Sequence, residues 1–87
     1  MKREDVYKAL DSERDYQDEM SKSVFRPDMI EDMHIGDILS AIEHNLTLAR
    51  AAWYKGFVPH PEAMTFLRKI GGLCVKAGES YGMSSRS

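Results

Sequence analysis

Four groups of side chains in this 87-residue sequence have the types and spacing that chemistry requires. Tyr7 and Tyr16 each offer a ring face and a hydroxyl. Lys22 and Arg26 put two cations next to Pro27, in a stretch that reads as a loop, where ligand contacts are often made. Arg68, Lys69 and Lys76 gather around Gly71-Gly72, and a cationic rim beside a glycine-lined concavity suits a phosphate. The fourth group is acidic: Asp15/Asp18 and Asp28/Glu31 have the i, i+3 spacing of carboxylates that share a helix face. Each group has a plainer counterpart. A tyrosine on a polar helix packs at an edge, loop cations are solvated, and paired glycines admit a neighbouring helix.

The acids raise the possibility of an enzyme. All-helical nucleotide pyrophosphohydrolases hold magnesium on an ExxE segment followed by ExxD on another helix. Here Glu31 is followed at that spacing by His34, no ExxD occurs, and Asp28 and Glu31 fall beside Pro27 in an expected bend. Hydrolysis therefore ranks behind binding, and the chain is read as non-enzymatic. No glycine-rich phosphate loop, nucleophile elbow or HExxH pattern is present. His34, His44 and His60 are scattered and Cys74 is the single cysteine, so no metal site, disulfide or cofactor is expected. Cys74 reads as a small buried residue on a helix face.

These residues must be positioned by helices, and the reading is all-α with three of them in a single domain over residues 1–87. A short first helix covers about 4–20, where Val6, Leu10, Glu13, Gln17 and Met20 share a line and Glu4 and Asp5 suit the positive end of the dipole. The long second helix, about 35–55, is expected to organise the rest. Ile35, Ile38, Leu39, Ile42, Leu46, Ala49 and Trp53 recur at steps of three or four, with Ala41, Leu48 and Ala52 on another side. Two stripes imply burial on two sides, by the chain itself and by another subunit. Gly56 matches a left-handed stop and Pro61 a first helical position, so a third helix pairs antiparallel with the second over about 61–81. Its expected stripe is Met64, Leu67, Ile70, Cys74, Ala77 and Tyr81, and residues 83–87 read as a frayed tail. Gly71-Gly72 inside it costs about 1 kcal/mol per residue against alanine, a cost that a close approach by a helix or a ligand must offset.

A core this small is marginal, and oligomer formation is a common remedy. The net charge of −2 is split: residues 1–43 hold 12 acids and 6 bases, residues 44–87 hold 2 acids and 6 bases. Either the halves pack on each other, or the second half presents a local cationic surface. Overall acidity speaks against DNA or RNA as partners. No run approaches the roughly 20 apolar residues of a membrane span, and a cytosolic location without membrane attachment is expected.

The segments ALDSERDYQDEM, IGDILSAIEHNLTLARAAW and AMTFLRKIGGLCVKAGESYG together resemble a family of small bacteriophage proteins. Its pattern is an ERxYQD helix, a long helix opened by GE or GD and ended by tryptophan, and an LRKIAG-type last helix. The likeness runs over nearly the whole chain, on short motifs. The family is that of the phage anti-CBASS proteins, which sequester cyclic oligonucleotides made by bacterial immune synthases.

That resemblance implies a helical homohexamer in the host cytoplasm. It would bind cyclic dinucleotides such as cGAMP tightly without cleaving them, with cyclic trinucleotides in separate pockets on the threefold axes. By position, the family's base-stacking tyrosine matches Tyr7, with Tyr16 as the alternative, and its phosphate-binding lysine matches Lys22. The arginine of the threefold pocket matches Arg68, with Gly72 one turn on, where no side-chain hydrogen bond is offered. The rival readings are a helical protein-interaction module and a divergent pyrophosphohydrolase.

Overall fold

The computed structural model describes residues 1–24, 34–56 and 60–86, the side chains of 21–24 excepted. Three helices make up its secondary structure: α1 (Arg3–Val24), α2 (Ile35–Tyr54) and α3 (Pro61–Tyr81). Their termini follow local chemistry. Glu4 and Asp5, Asp37 and Glu62 place acids in the three first turns, against the dipole's positive end. Pro61 opens α3, where its missing N–H costs nothing, and Gly82 closes it at φ 81°. Gly56, at φ 76°, ends the turn after α2 in the left-handed region that glycine enters freely.

The first helix is longer than the expected 4–20. Nothing in Ser21 to Val24 forbids helix, and the restriction imposed by Pro27 falls on Arg26. Lys22 therefore sits in the last turn of α1 and not in a loop. Its side chain lies outside the described residues, as do Arg26, Asp28 and Glu31.

The organising element is α3, not α2, since both other helices pack against it. Close to the turn, Ala52 and Lys55 share a cleft with His60 to Ala63; further away, Ala41 and Asn45 share one with Lys69, Leu73 and Lys76. That pairing makes α2 and α3 antiparallel, as expected. From α1, the adjacent residues Glu13 and Arg14 hold Arg68 and Glu79 of α3, which lie three turns apart. So α1 crosses α3 and does not run alongside it.

Few side chains are buried: Ile38, Ala49 and Ala52 of α2, Ala63 and Leu73 of α3, and Glu13 of α1, and Ile38 is the one large side chain closed off completely among the described residues. The expected stripe of α3 is largely on the surface: Met64, Leu67 and Tyr81 are exposed, and so is Cys74. On α2, Ile35, Leu39, Leu46 and Trp53 also face out, and Trp53 rests against the exposed Tyr54 at 5.0 Å between ring centroids. The accessible surface of 7095 Å² exceeds the roughly 5,200 Å² that a folded monomer of this mass presents. A radius of gyration of 14.3 Å, against about 12 Å for a compact domain of this length, describes the same openness.

The glycine pair is explained by packing. A Cβ on Gly71 would run into the Leu10 side chain, and one on Gly72 would lie 2.8 Å from Gln17 Oε1. Leu10 and Gln17 are two turns apart on one face of α1, so the two missing side chains let α1 settle onto the α3 backbone. Gln17 Nε2 then donates to the Lys69 carbonyl at 3.1 Å.

Candidate functional site

Where α1 crosses α3, Ser12, Glu13 and Tyr16 face Thr65, Arg68 and Lys69 across a groove of about 380 Å³. The i, i+3 and i+4 spacings within each triplet place its members on one helix face, and the glycine contact fixes the faces opposite each other. The Tyr16 ring is 58% exposed, so a planar group can reach it. Arg68 Nε donates to Glu13 Oε1 at 2.8 Å; the carboxylate side chain is 5% exposed, the arginine 45%. The hydroxyls of Ser12 and Thr65 donate back to Ala9 O and Pro61 O of their own helices, so neither O–H points a donor into the groove. The Lys69 ammonium stands 5.9 Å from the Phe66 ring centroid.

A second cleft of about 300 Å³ adjoins the first, and Glu13, Tyr16 and Lys69 line both. Ala41 and Asn45 of α2 and Leu73 of α3 lie along it, and Gln17 and Lys76 bring polar groups. The buried Oε1 of Gln17 has no hydrogen-bond partner.

The structure brings some of the expected site residues together and separates others. Arg68 lies in the groove with Tyr16, the alternative stacking residue. Tyr7 is exposed on α1, but nine positions from Tyr16 is about two and a half helical turns, which puts it on the opposite side. Tyr7 and Lys22 are fifteen residues apart on one continuous helix. At 1.5 Å per residue that is about 22 Å, too far for one chain to close both around a single nucleotide. Gly72 is buried beneath Gln17, where it serves helix packing.

Comparison of the chain with protein-family models, curated proteins and solved structures gives no match.

Two features of the structure escaped sequence reasoning. One is the pairing of Glu13 with Arg68, for which a signal existed: Glu13 interrupts the inward line of α1, and a charge on a buried face needs a partner. The other is His60, which caps α3 in the left-handed conformation at φ 61° with its Nδ1 buried and unpartnered. Among the described residues no three His, Cys, Asp or Glu side chains converge as metal ligands, and no helix is long and apolar enough to cross a membrane. The groove presents an aromatic plate beside two cations, one of them already holding a carboxylate.

Proposed function

We propose that this chain is a binding protein for cyclic oligonucleotides, holding cyclic dinucleotides, and trinucleotides through Arg68, without cleaving them. In a phage-infected cell such a protein removes an immune second messenger from its effector. The observation that supports it is the juxtaposition of Tyr16, Arg68 and Lys69 in one groove. A base stacks on an aromatic ring for about 1–3 kcal/mol, and the guanidinium and ammonium neutralise phosphodiester charge.

The reading includes self-association. A groove of about 380 Å³ is at the small end of ligand pockets, enough for part of a cyclic oligonucleotide, and a second copy supplies the rest. The exposed Ile35, Leu39, Leu46 and Trp53 of α2, and the excess surface of the single chain, are what such an assembly covers. Symmetry repeats each cation around one ligand, so an acidic chain still builds a cationic pocket. The separation of Tyr7 from Lys22 is consistent with this, because two copies can join a tyrosine and a lysine that one cannot.

The test is direct. The protein is mixed with 3′,3′-cyclic GMP–AMP, separated from free ligand, then heat-denatured, and the released nucleotide is identified by mass. Intact ligand in stoichiometric amount supports sequestration. A cleaved product points to the hydrolase, and no captured nucleotide leaves the protein-interaction module.

A further inference from the structure

Arg68 is the cation best placed in the groove, yet it is already engaged by a carboxylate. We propose that Glu13 is a specificity-determining residue that keeps Arg68 from singly charged anions and yields it only to ligands carrying more than one negative charge. This rests on the reading above that the groove takes an anion.

The physical reason is an exchange. Arg68 Nε and Glu13 Oε1 are 2.8 Å apart in a charge-assisted hydrogen bond, and the Glu13 side chain is 5% exposed. An anion that takes the guanidinium must leave that carboxylate either unpaired in a nearly closed site or facing the newcomer as a like charge. A buried charge stripped of its partner carries its full desolvation penalty. A single negative charge replaces one ion pair with another and gains nothing against that penalty. A ligand with two charges spans Arg68 and its neighbour Lys69, which lines the same groove, and so adds an interaction the resident pair lacks. Arg68 itself is half exposed, so the exchange needs no opening of the fold.

Glu13 thus acts through Arg68, and removing its charge has a definite signature. The wild-type chain, Glu13→Gln, Arg68→Gln and the double variant are titrated by calorimetry with inorganic phosphate, with pyrophosphate and with 3′,3′-cyclic GMP–AMP, at about pH 5.5, where phosphate is a monoanion and pyrophosphate still carries two charges. The wild type is expected to prefer pyrophosphate to phosphate. Glu13→Gln should raise phosphate affinity about tenfold, the size of a charged hydrogen bond, and raise pyrophosphate affinity less, narrowing the preference. In the Arg68→Gln background the Glu13 substitution should change neither. Glu13→Met, of similar volume, replaces the glutamine variant if that one melts early.

Equal gains for both anions, the same gain without Arg68, or no anion binding in any variant each overturn the proposal. The cyclic nucleotide titration decides separately whether the groove's ligand class is right. A chain that binds pyrophosphate with this signature but ignores the cyclic nucleotide keeps the role of Glu13 and loses the sequestration reading.

Discussion

Glu13 of α1 and Arg68 of α3, 55 positions apart in sequence, meet at 2.8 Å with the acid enclosed and the base half open to water. The asymmetry in exposure makes their substitutions unequal. Arg68→Met leaves a nearly buried carboxylate without its donor, a loss of about 1–3 kcal/mol. Glu13→Gln leaves an exposed guanidinium that can still donate to an amide oxygen, and should cost less than about 1 kcal/mol. Urea denaturation of the two variants tests the order; equal costs would mean that the carboxylate is better solvated than its exposure indicates.

The glycines of α3 and α2 should respond in opposite directions. Gly71→Ala gains helix propensity of about 1 kcal/mol but drives a methyl into Leu10, and overpacking costs typically 1–3 kcal/mol. The net effect expected is loss of stability, relieved in part by Leu10→Ala. Gly36, inside the first turn of α2, has nothing within 4 Å of the Cβ position. Gly36→Ala should therefore stabilise by a few tenths to about 1 kcal/mol, read as a rise in melting temperature.

Arg14 ties α1 to the far end of α3. Its Nε and Nη2 donate to both carboxylate oxygens of Glu79 at 2.9 and 3.0 Å, and Asp18 lies 3.8 Å away on the next turn. The arginine side chain is only 13% exposed. Lysine cannot reproduce a two-pronged bond, so Arg14→Lys is not a conservative change here. The expected result is faster amide hydrogen exchange along α1, with α2 and α3 little affected, because α1 docks on α3 and contributes little to the α2–α3 pair. Uniform acceleration in all three helices would mean that α1 unfolds only with the whole.

The three helices, their punctuation and the antiparallel pair were legible because Gly56, Pro61 and Gly82 act through backbone conformation, which the residue type dictates. The packing faces were less so. Hydropathy marked Met64, Leu67 and Cys74 on α3, while the structure buries Ala63, Gly72 and Leu73. On α3 the closest approach runs along the small Ala63 and Gly72, with Leu73 beside them, while on α2 the hydropathy stripe did include the buried Ile38 and Ala49. The paired glycines pointed correctly to a close approach, but not to α1 as the neighbour. The Glu13–Arg68 pair follows the split of charge, an acid of the first half on a base of the second, whereas Arg14–Glu79 runs against it, with the base from the acidic half. Ending α1 at Met20 misplaces Lys22, because Val24 continues the line four positions on and the restriction imposed by Pro27 falls only on Arg26.

The distance of about 22 Å between Tyr7 and Lys22 along α1 yields a prediction that separates a shared pocket from a single-chain one. If the cyclic dinucleotide is held by Tyr7 of one copy and Lys22 of another, Tyr7→Ala and Lys22→Ala should each weaken binding without lowering the melting temperature. Neither variant alone offers an intact pocket. Mixed assemblies do: wherever a copy that keeps Tyr7 meets one that keeps Lys22, both groups are present. Random assembly from equal amounts gives about a quarter of the pockets both wild-type residues. Co-expressed variants should therefore show a tight-binding fraction near that value by calorimetry, whereas the separately purified proteins show none. Independent pockets within each chain predict no recovery on mixing. Unchanged affinity in both single variants would remove these two residues from the site and leave Tyr16, Arg68 and Lys69 as the remaining binding surface.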